Sequence, residues 1–299
     1  MIQHQTGLCA RNFGEWLAAL GLLRVADSLS SGAMLSFLPT GESIITTSAD
    51  DKTLLKKVTA SAHPNAITVD YVMPSSEANS LTLRVGDSFY IRSVHTLSDE
   101  VRSKDFYKSD DAKKGCILRF NEIGGLEVSH YLGAAQSSEA KVESPLIFWA
   151  GQVTFQGILK NITEKVQSLK SANSLKSALL SSSRETQRFR FDHADEQFQD
   201  DGAHDSSPGR QCRPVIEWLA LLGLSFYPAA LGFESLSPQR RHLVSRIWSN
   251  PLSASAVALA LHSAQAAEHR IFFAASDGKM KKLRALSQSA NSTSTPIET

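Results

Sequence analysis

An eight-residue string occurs twice in this chain, and both copies read as buried helix. Glu15-Trp16-Leu17-Ala18-Ala19-Leu20-Gly21-Leu22 returns with one change as Glu217-Trp218-Leu219-Ala220-Leu221-Leu222-Gly223-Leu224. Ala10-Arg11-Asn12 leads into the first copy and Cys212-Arg213-Pro214 into the second. Asn caps free N–H groups and Pro suits a first helical turn, so each copy carries a helix-start signal. Trp16, Leu20 and Leu23 cover one face while Leu22, Val25, Ala26 and Leu29 cover another, and a helix apolar almost all round is a core helix. Two origins stay open: convergence of Leu/Ala-rich core helices on similar strings, which is the plainer, or an internal duplication.

Around these helices, 299 residues suit two domains better than one. The expected division is an α+β domain over 1–144, a helix-rich domain over 145–287 and a disordered Ser/Thr/Asn-rich tail over 288–299. Cys9, Cys116 and Cys212 are odd in number and far apart, which suits reduced thiols in a cytosol rather than a disulfide framework. No secretory signal pattern opens the chain, and no apolar run approaches the roughly 20 residues of a membrane helix, so a soluble cytoplasmic protein without membrane contact is expected.

Along the chain, the first helix covers about 13–30. Met34 to Leu38 and Glu42 to Thr47 read as strands around Pro39-Thr40-Gly41, and Asp50 to Ala60 as a short helix with Leu54, Leu55 and Val58 on one side. Ala66 to Val72, Leu81 to Val85 and Ser88 to Ser93 are β-like, the last two joined by a Gly86-Asp87 turn. Residues 98–115 are charged and form an exposed loop. Cys116 to Phe120 and Leu126 to Tyr131 make a hairpin around Gly124-Gly125, and 133–144 is Ser/Ala/Gly-rich. A long helix begins near Phe148 and buries Ile158, Ile162, Val166 and Leu169. Leu175 to Ser183 is helical, Gln187 to Phe191 is a short strand, and the second core helix covers 214–226. His242 to Trp248 and Arg270 to Ala274 are strands flanking a helix over Ala254 to Ala267, and Asp277-Gly278 is a turn. The whole is α+β: a mixed or antiparallel sheet with a buried helix in the N-terminal half, and a more helical C-terminal half.

Net charge is +1, which excludes a wholesale polyanion binder but hides local asymmetry. From Lys160 to Arg190, seven basic residues (Lys160, Lys165, Lys170, Lys176, Arg184, Arg188, Arg190) face only Glu164 and Glu185. From Arg240 to Arg284 eight basic residues face only Glu268 and Asp277. Lys and Arg supply the phosphate contacts that dominate nucleic-acid affinity, and Phe189, Phe191 and Trp248 are aromatic candidates for stacking. A solvated helix face beside core aromatics would produce the same pattern. Asp192, His193, Asp195, Asp200, Asp201, His204 and Asp205 have metal-ligand chemistry, and His204-Asp205 is a doublet that metal-dependent phosphohydrolases use. They fall in a Gly/Ser/Pro-bearing stretch, where a solvated acidic loop is the plainer reading. There is no phosphate-binding GxxxxGK[ST] loop, GxGxxG, GxSxG or HExxH, so no cofactor and no catalytic residue is assigned.

Three stretches carry a family resemblance. They are Gly14-Glu15-Trp16-Leu17 to Gly21-Leu22-Leu23-Arg24-Val25-Ala26-Asp27, Phe148-Trp149-Ala150-Gly151-Gln152, and Phe189-Arg190-Phe191-Asp192 followed by Ser207-Pro208-Gly209 and Pro214 to Pro228. In this order they resemble a CRISPR-associated family of the type I-U (I-G) systems, similar to a Cascade large-subunit-like protein. Arg24 departs from the pattern, standing where an acidic residue is expected. The resemblance implies a non-catalytic subunit of an RNA-guided DNA surveillance complex in antiviral defence. Its implied partners are crRNA, target DNA, other Cascade subunits and a helicase-nuclease. In such complexes base pairing reads sequence while proteins hold phosphates. From the charge pattern, Lys160, Lys165, Arg184, Arg188, Arg240, Arg241, Lys279, Lys281 and Lys282 are the expected phosphate contacts. The alternatives are a metal-dependent nuclease using Asp192, His193, His204 and Asp205, or a protein–protein adaptor whose basic faces meet acidic neighbours.

Overall fold

The computed structural model describes residues 1–74, 82–85, 89–96, 116–128, 135–137, 140–142, 155–185, 189, 191–192, 210–226, 242–261, 267–277 and 280–285. A strand that the sequence reading did not anticipate, β1 (Ile2–Cys9), opens the chain, and its buried residues are His4, Thr6 and Leu8. Two of these three are polar, and each is satisfied. His4 Nδ1 lies 2.7 Å from an Asp51 carboxylate oxygen and Nε2 2.9 Å from the Ala49 carbonyl, while Thr6 Oγ1 is 2.6 Å from the Ser43 hydroxyl.

Helix α1 (Phe13–Leu29) begins at Asn12, whose side-chain oxygen accepts the N–H groups of Gly14 and Glu15. β2 (Met34–Phe37) and β3 (Glu42–Thr47) form an antiparallel hairpin, and β1 pairs with the outer side of β3. Asp50 caps α2 (Asp51–Ser61), which buries Leu54, Leu55 and Val58. A second antiparallel sheet follows: β4 (Ile67–Pro74), β5 (Thr82–Val85), β6 (Phe89–Thr96), β7 (Cys116–Phe120) and β8 (Leu126–Val128), in the order β5-β6-β4-β7-β8. Gly124 and Gly125 both adopt positive φ between β7 and β8, a conformation that glycine reaches without steric cost. β9 (Ala135–Ser137) and β10 (Ala140–Val142) pair as a ribbon within the Ser/Ala/Gly-rich span.

In α3 (Phe155–Ser168) the spacing of three and four buries Ile158, Ile162 and Val166 on one face. A 3-10 turn over Leu169–Ser171 leads into α4 (Leu175–Leu180), capped by Ser174. β11 (Ser183–Glu185) pairs with β12 (Arg210–Cys212), and α5 (Pro214–Gly223) then runs into a 3-10 turn over Leu224–Phe226. β13 (His242–Ile247), β14 (Leu252–Ser253), α6 (Ala254–Leu261), β15 (Ala267–Asp277) and β16 (Met280–Ala285) complete the described elements. The helix expected over Ala254 to Ala267 is shorter, since Ala267 already belongs to β15. β13, β15 and β16 form an antiparallel sheet in that order, and β14 adds itself to β2, giving the first sheet the order β1-β3-β2-β14.

The fold is α+β, with antiparallel sheets and a buried first helix in the N-terminal half and a more helical C-terminal half. Several expectations fall outside the described residues: the Gly86-Asp87 turn, the loop at 98–115, the helix start at 148–154, and the tail over 288–299. Among the described residues no helix is long and apolar enough to cross a membrane.

The two copies of the repeated string meet. α1 and α5 pack on each other more extensively than any other pair of described helices. Their closest approach is reciprocal. A methyl built on Gly21 would lie 1.8 Å from the Leu219 carbonyl oxygen, and one built on Gly223 would lie 2.0 Å from the Leu17 carbonyl oxygen. Gly21 matches Gly223 in the alignment of the two strings, and Leu17 matches Leu219, so each copy presents to the other what it receives. The two tryptophans follow suit by reaching across the chain. Trp16 Nε1 donates to the Arg246 carbonyl at 2.9 Å, and Trp218 Nε1 donates to the Ser61 hydroxyl at 2.9 Å while its ring meets Phe120 edge-on.

Candidate nucleic-acid interface

At the start of both core helices lies the one buried charge cluster of the described residues. The Arg213 guanidinium binds both Asp192 carboxylate oxygens, at 2.9 and 2.5 Å, and reaches Glu15 at 2.6 Å. Glu15 also accepts the Cys9 N–H at 2.7 Å, and Glu217 accepts the Asp192 N–H at 2.9 Å. Both glutamates occupy a helix first turn, where the partial positive charge of the N-terminus favours a carboxylate. Burial works against the Arg213 cation, but the hydrogen bonds and charge of Asp192, with those of Glu15, outweigh it and hold the pKa above the ordinary arginine value. The group is a clamp between α1, α5 and the chain at 191–192, whose Phe191 carbonyl lies 1.9 Å from where a Gly14 methyl would be.

That clamp corrects one reading of Asp192. It is 3 % exposed and spends both carboxylate oxygens on Arg213, so it is a structural anion rather than a loop ligand. His193, Asp195, Asp200, Asp201, His204 and Asp205 lie outside the described residues. Among the described residues no group of three or more His, Cys, Asp or Glu side chains could hold a metal ion.

The aromatic residues offered for stacking are corrected as well. Phe189 and Phe191 are fully buried and stack on each other at 5.4 Å between centroids. Trp248 meets Phe37 edge-on and donates its indole N–H to the Leu35 carbonyl at 2.7 Å. These rings are occupied by the core.

The expected phosphate contacts divide three ways. Lys160 and Lys165 sit on α3, Lys160 exposed and Lys165 half-buried, and Lys160 has Glu164 at 3.9 Å one turn on. Arg184 lies on β11 opposite Gln211, and Lys281 and Lys282 lie on β16 opposite Ser276 and Ala275, in a separate sheet from α3. Arg188, Arg240, Arg241 and Lys279 lie outside the described residues.

α2, the helix expected over Asp50 to Ala60, carries lysines that the charge-density reading left out of the phosphate contacts. Its exposed side carries Lys52 and Lys56, four apart and opposite the buried Leu54, Leu55 and Val58, which is the signal that would have found them. Lys57 on the same helix faces Glu122 at 3.4 Å. α2 packs against the end of α3, the 169–171 turn and α4, and Gln167 Nε2 donates to the Thr59 carbonyl to join the first two. Lys170 and Lys176 are exposed on that same joined stretch.

Arg24 turns inward on α1: it lies 3.8 Å over the Phe226 ring and donates to the Ser225 hydroxyl, and burial lowers its pKa against the opposing charge of Asp27. The fold and its charges thus define an α+β protein with a buried ionic clamp and a lysine-bearing helical face. Compared with known proteins, the chain matches no family model, no curated protein and no solved structure.

Proposed function

We propose that the chain is a non-catalytic, nucleic-acid-binding subunit of an RNA-guided type I CRISPR effector of the Cascade kind. It would work in the cytoplasm with crRNA, target DNA, other Cascade subunits and a helicase-nuclease. The observation that carries this reading is the two-sidedness of the 155–180 region, with Ile158, Ile162, Val166, Leu175 and Leu179 buried and Lys160, Lys170 and Lys176 exposed. Ammonium groups on a helical surface contact phosphates and release their counterions, a task that asks for no catalytic constellation. Near-neutral overall charge suits a subunit that touches nucleic acid on one side and neighbouring proteins on others. With Phe189, Phe191 and Trp248 engaged in packing, support rests on backbone contacts and not on stacking.

The test is a tagged purification from the native host at low salt, with sequencing of co-purifying RNA and identification of co-purifying proteins. The expected result is a set of short RNAs of uniform length with repeat-derived ends, accompanied by effector subunits. A protein that emerges alone and free of nucleic acid overturns the reading.

A further inference from the structure

We infer that Lys52, Lys56, Lys170 and Lys176 form one phosphate-binding surface, and that it grips the nucleic-acid backbone without reading bases. This rests on the nucleic-acid-binding reading above and names the residues and the partner chemistry of its surface. All four side chains are exposed, and none has an acidic partner within ion-pair distance among the described residues. That separates them from their neighbours. Lys57 is paired with Glu122, and Lys160 has Glu164 nearby. The anions at the α2 start are also engaged: Asp51 with His4, and Asp50 with the Thr53 N–H at 2.8 Å.

The four come from two segments that the fold places side by side. α2 supplies Lys52 and Lys56, one turn apart on one face. The 169–171 turn and α4, both packed on α2, supply Lys170 and Lys176. The Gln167 bond to the Thr59 carbonyl ties the end of α3 to the last turn of α2, so these segments are held together by more than apolar contact. Ser171 and Ser177, exposed on the second segment, can donate hydroxyl bonds to phosphate oxygens. No Phe, Tyr or Trp occurs in 51–61 or 157–182, so these segments themselves offer no ring on which a base could stack. Lysine is a point charge on a flexible stem, suited to phosphates and poor at reading base edges. The partner is therefore a phosphodiester backbone, and affinity should not depend on its sequence.

The experiment uses the full chain with fluorescein-labelled single-stranded oligonucleotides of two unrelated sequences, their binding followed by anisotropy across a salt series. Wild type is compared with Lys52→Gln/Lys56→Gln, Lys170→Gln/Lys176→Gln and the fourfold variant, glutamine being a comparable helix former. With four phosphate contacts the log–log salt slope of the fourfold variant falls by about 3, and its affinity drops about 50-fold less than that of wild type between 50 and 200 mM salt. Each double variant should lose about half the slope, equally for both sequences. If wild type binds with a salt slope and the fourfold variant keeps it, this surface is wrong and the nucleic-acid reading survives elsewhere on the chain. If the fourfold variant loses affinity for one sequence only, backbone-only contact is wrong. If wild type binds neither oligonucleotide at any salt, both the surface and the reading beneath it fall.

Discussion

At the crossing of α1 and α5 there is no room for one more carbon atom, whereas on the outer side of α2 and the 169–180 stretch four ammonium groups face water. The crossing is closed in every sense. Gly21 and Gly223 let two helix backbones touch, the tryptophan N–H groups are bonded, and the cation at the helix starts is held by two carboxylates. The lysine face is open, and among the described residues none of its four cations is held in an ion pair. Burial and pairing therefore separate groups that hold the chain together from groups available to a partner. By that criterion Asp192 and Arg213, charged and near the chain's most distinctive sequence, belong to the first class, and Lys52 and Lys56, on a helix outside the basic segments, belong to the second.

The contrast can be broken most sharply at the crossing. Gly21→Ala and Gly223→Ala each place a methyl inside the partner helix's backbone, so each should cost about 3 kcal/mol or more, beyond the usual range for overpacking. Urea denaturation should return similar losses for both. A tolerated Gly223→Ala beside a damaging Gly21→Ala would end the claim of reciprocity. Next comes the clamp. Arg213→Met leaves the Asp192 carboxylate buried without its cation and should cost about 3 kcal/mol, part of which Asp192→Asn restores in the double variant. Thermal melts of the two single variants and the double variant give the coupling directly.

Smaller effects sharpen the boundary between the two regions. Trp218→Phe keeps an aromatic ring against Phe120 but loses the bond to Ser61, for a cost of about 1 kcal/mol in urea denaturation. Hydrogen bonds from the Thr53 side chain and then its backbone N–H hold the Asp50 carboxyl below its ordinary pKa. A depressed carboxylate pKa stabilises the fold above the unfolded value of about 3.9, and that stability is lost as pH falls through the folded value. Asp50→Asn should therefore flatten the acid side of the stability–pH curve while leaving neutral stability only slightly lower. At the far end, Gln at Lys52, Lys56, Lys170 and Lys176 should each change stability by less than about 0.5 kcal/mol, as exposed substitutions do. A larger loss in thermal melts would mean that the fold depends on this face.

Much of the closed region was legible because its signals are local. Asn12 before Phe13, Pro214 at a helix start and Asp50 before α2 each place an element within a residue or two, and the spacing of Ile158, Ile162 and Val166 marks the buried face of α3. β1 was not legible, because its buried face carries the polar His4 and Thr6 and its Ile2, on that same face, is exposed at the strand end, which leaves no clear apolar alternation. Nor was the clamp, whose members Glu15, Asp192 and Arg213 are brought together only by tertiary packing. A cluster of acidic residues and histidines near Asp192 resembles a ligand set on paper. The cation that claims Asp192 sits at the start of the next core helix, and no spacing rule connects them. The phosphate-contact pattern was read from charge density alone, which cannot tell the exposed Lys170 and Lys176 from the Glu-neighboured Lys160, or notice two lysines on α2 outside the basic segments.

The most direct measurement is the salt dependence of single-stranded nucleic-acid binding by the folded wild-type chain. Measurable binding is expected at low salt, with log affinity falling linearly as log salt rises and a slope of about −3 or steeper. Absent binding, or affinity that stays flat from low to high salt, would contradict it and leave the lysine face without a phosphate partner.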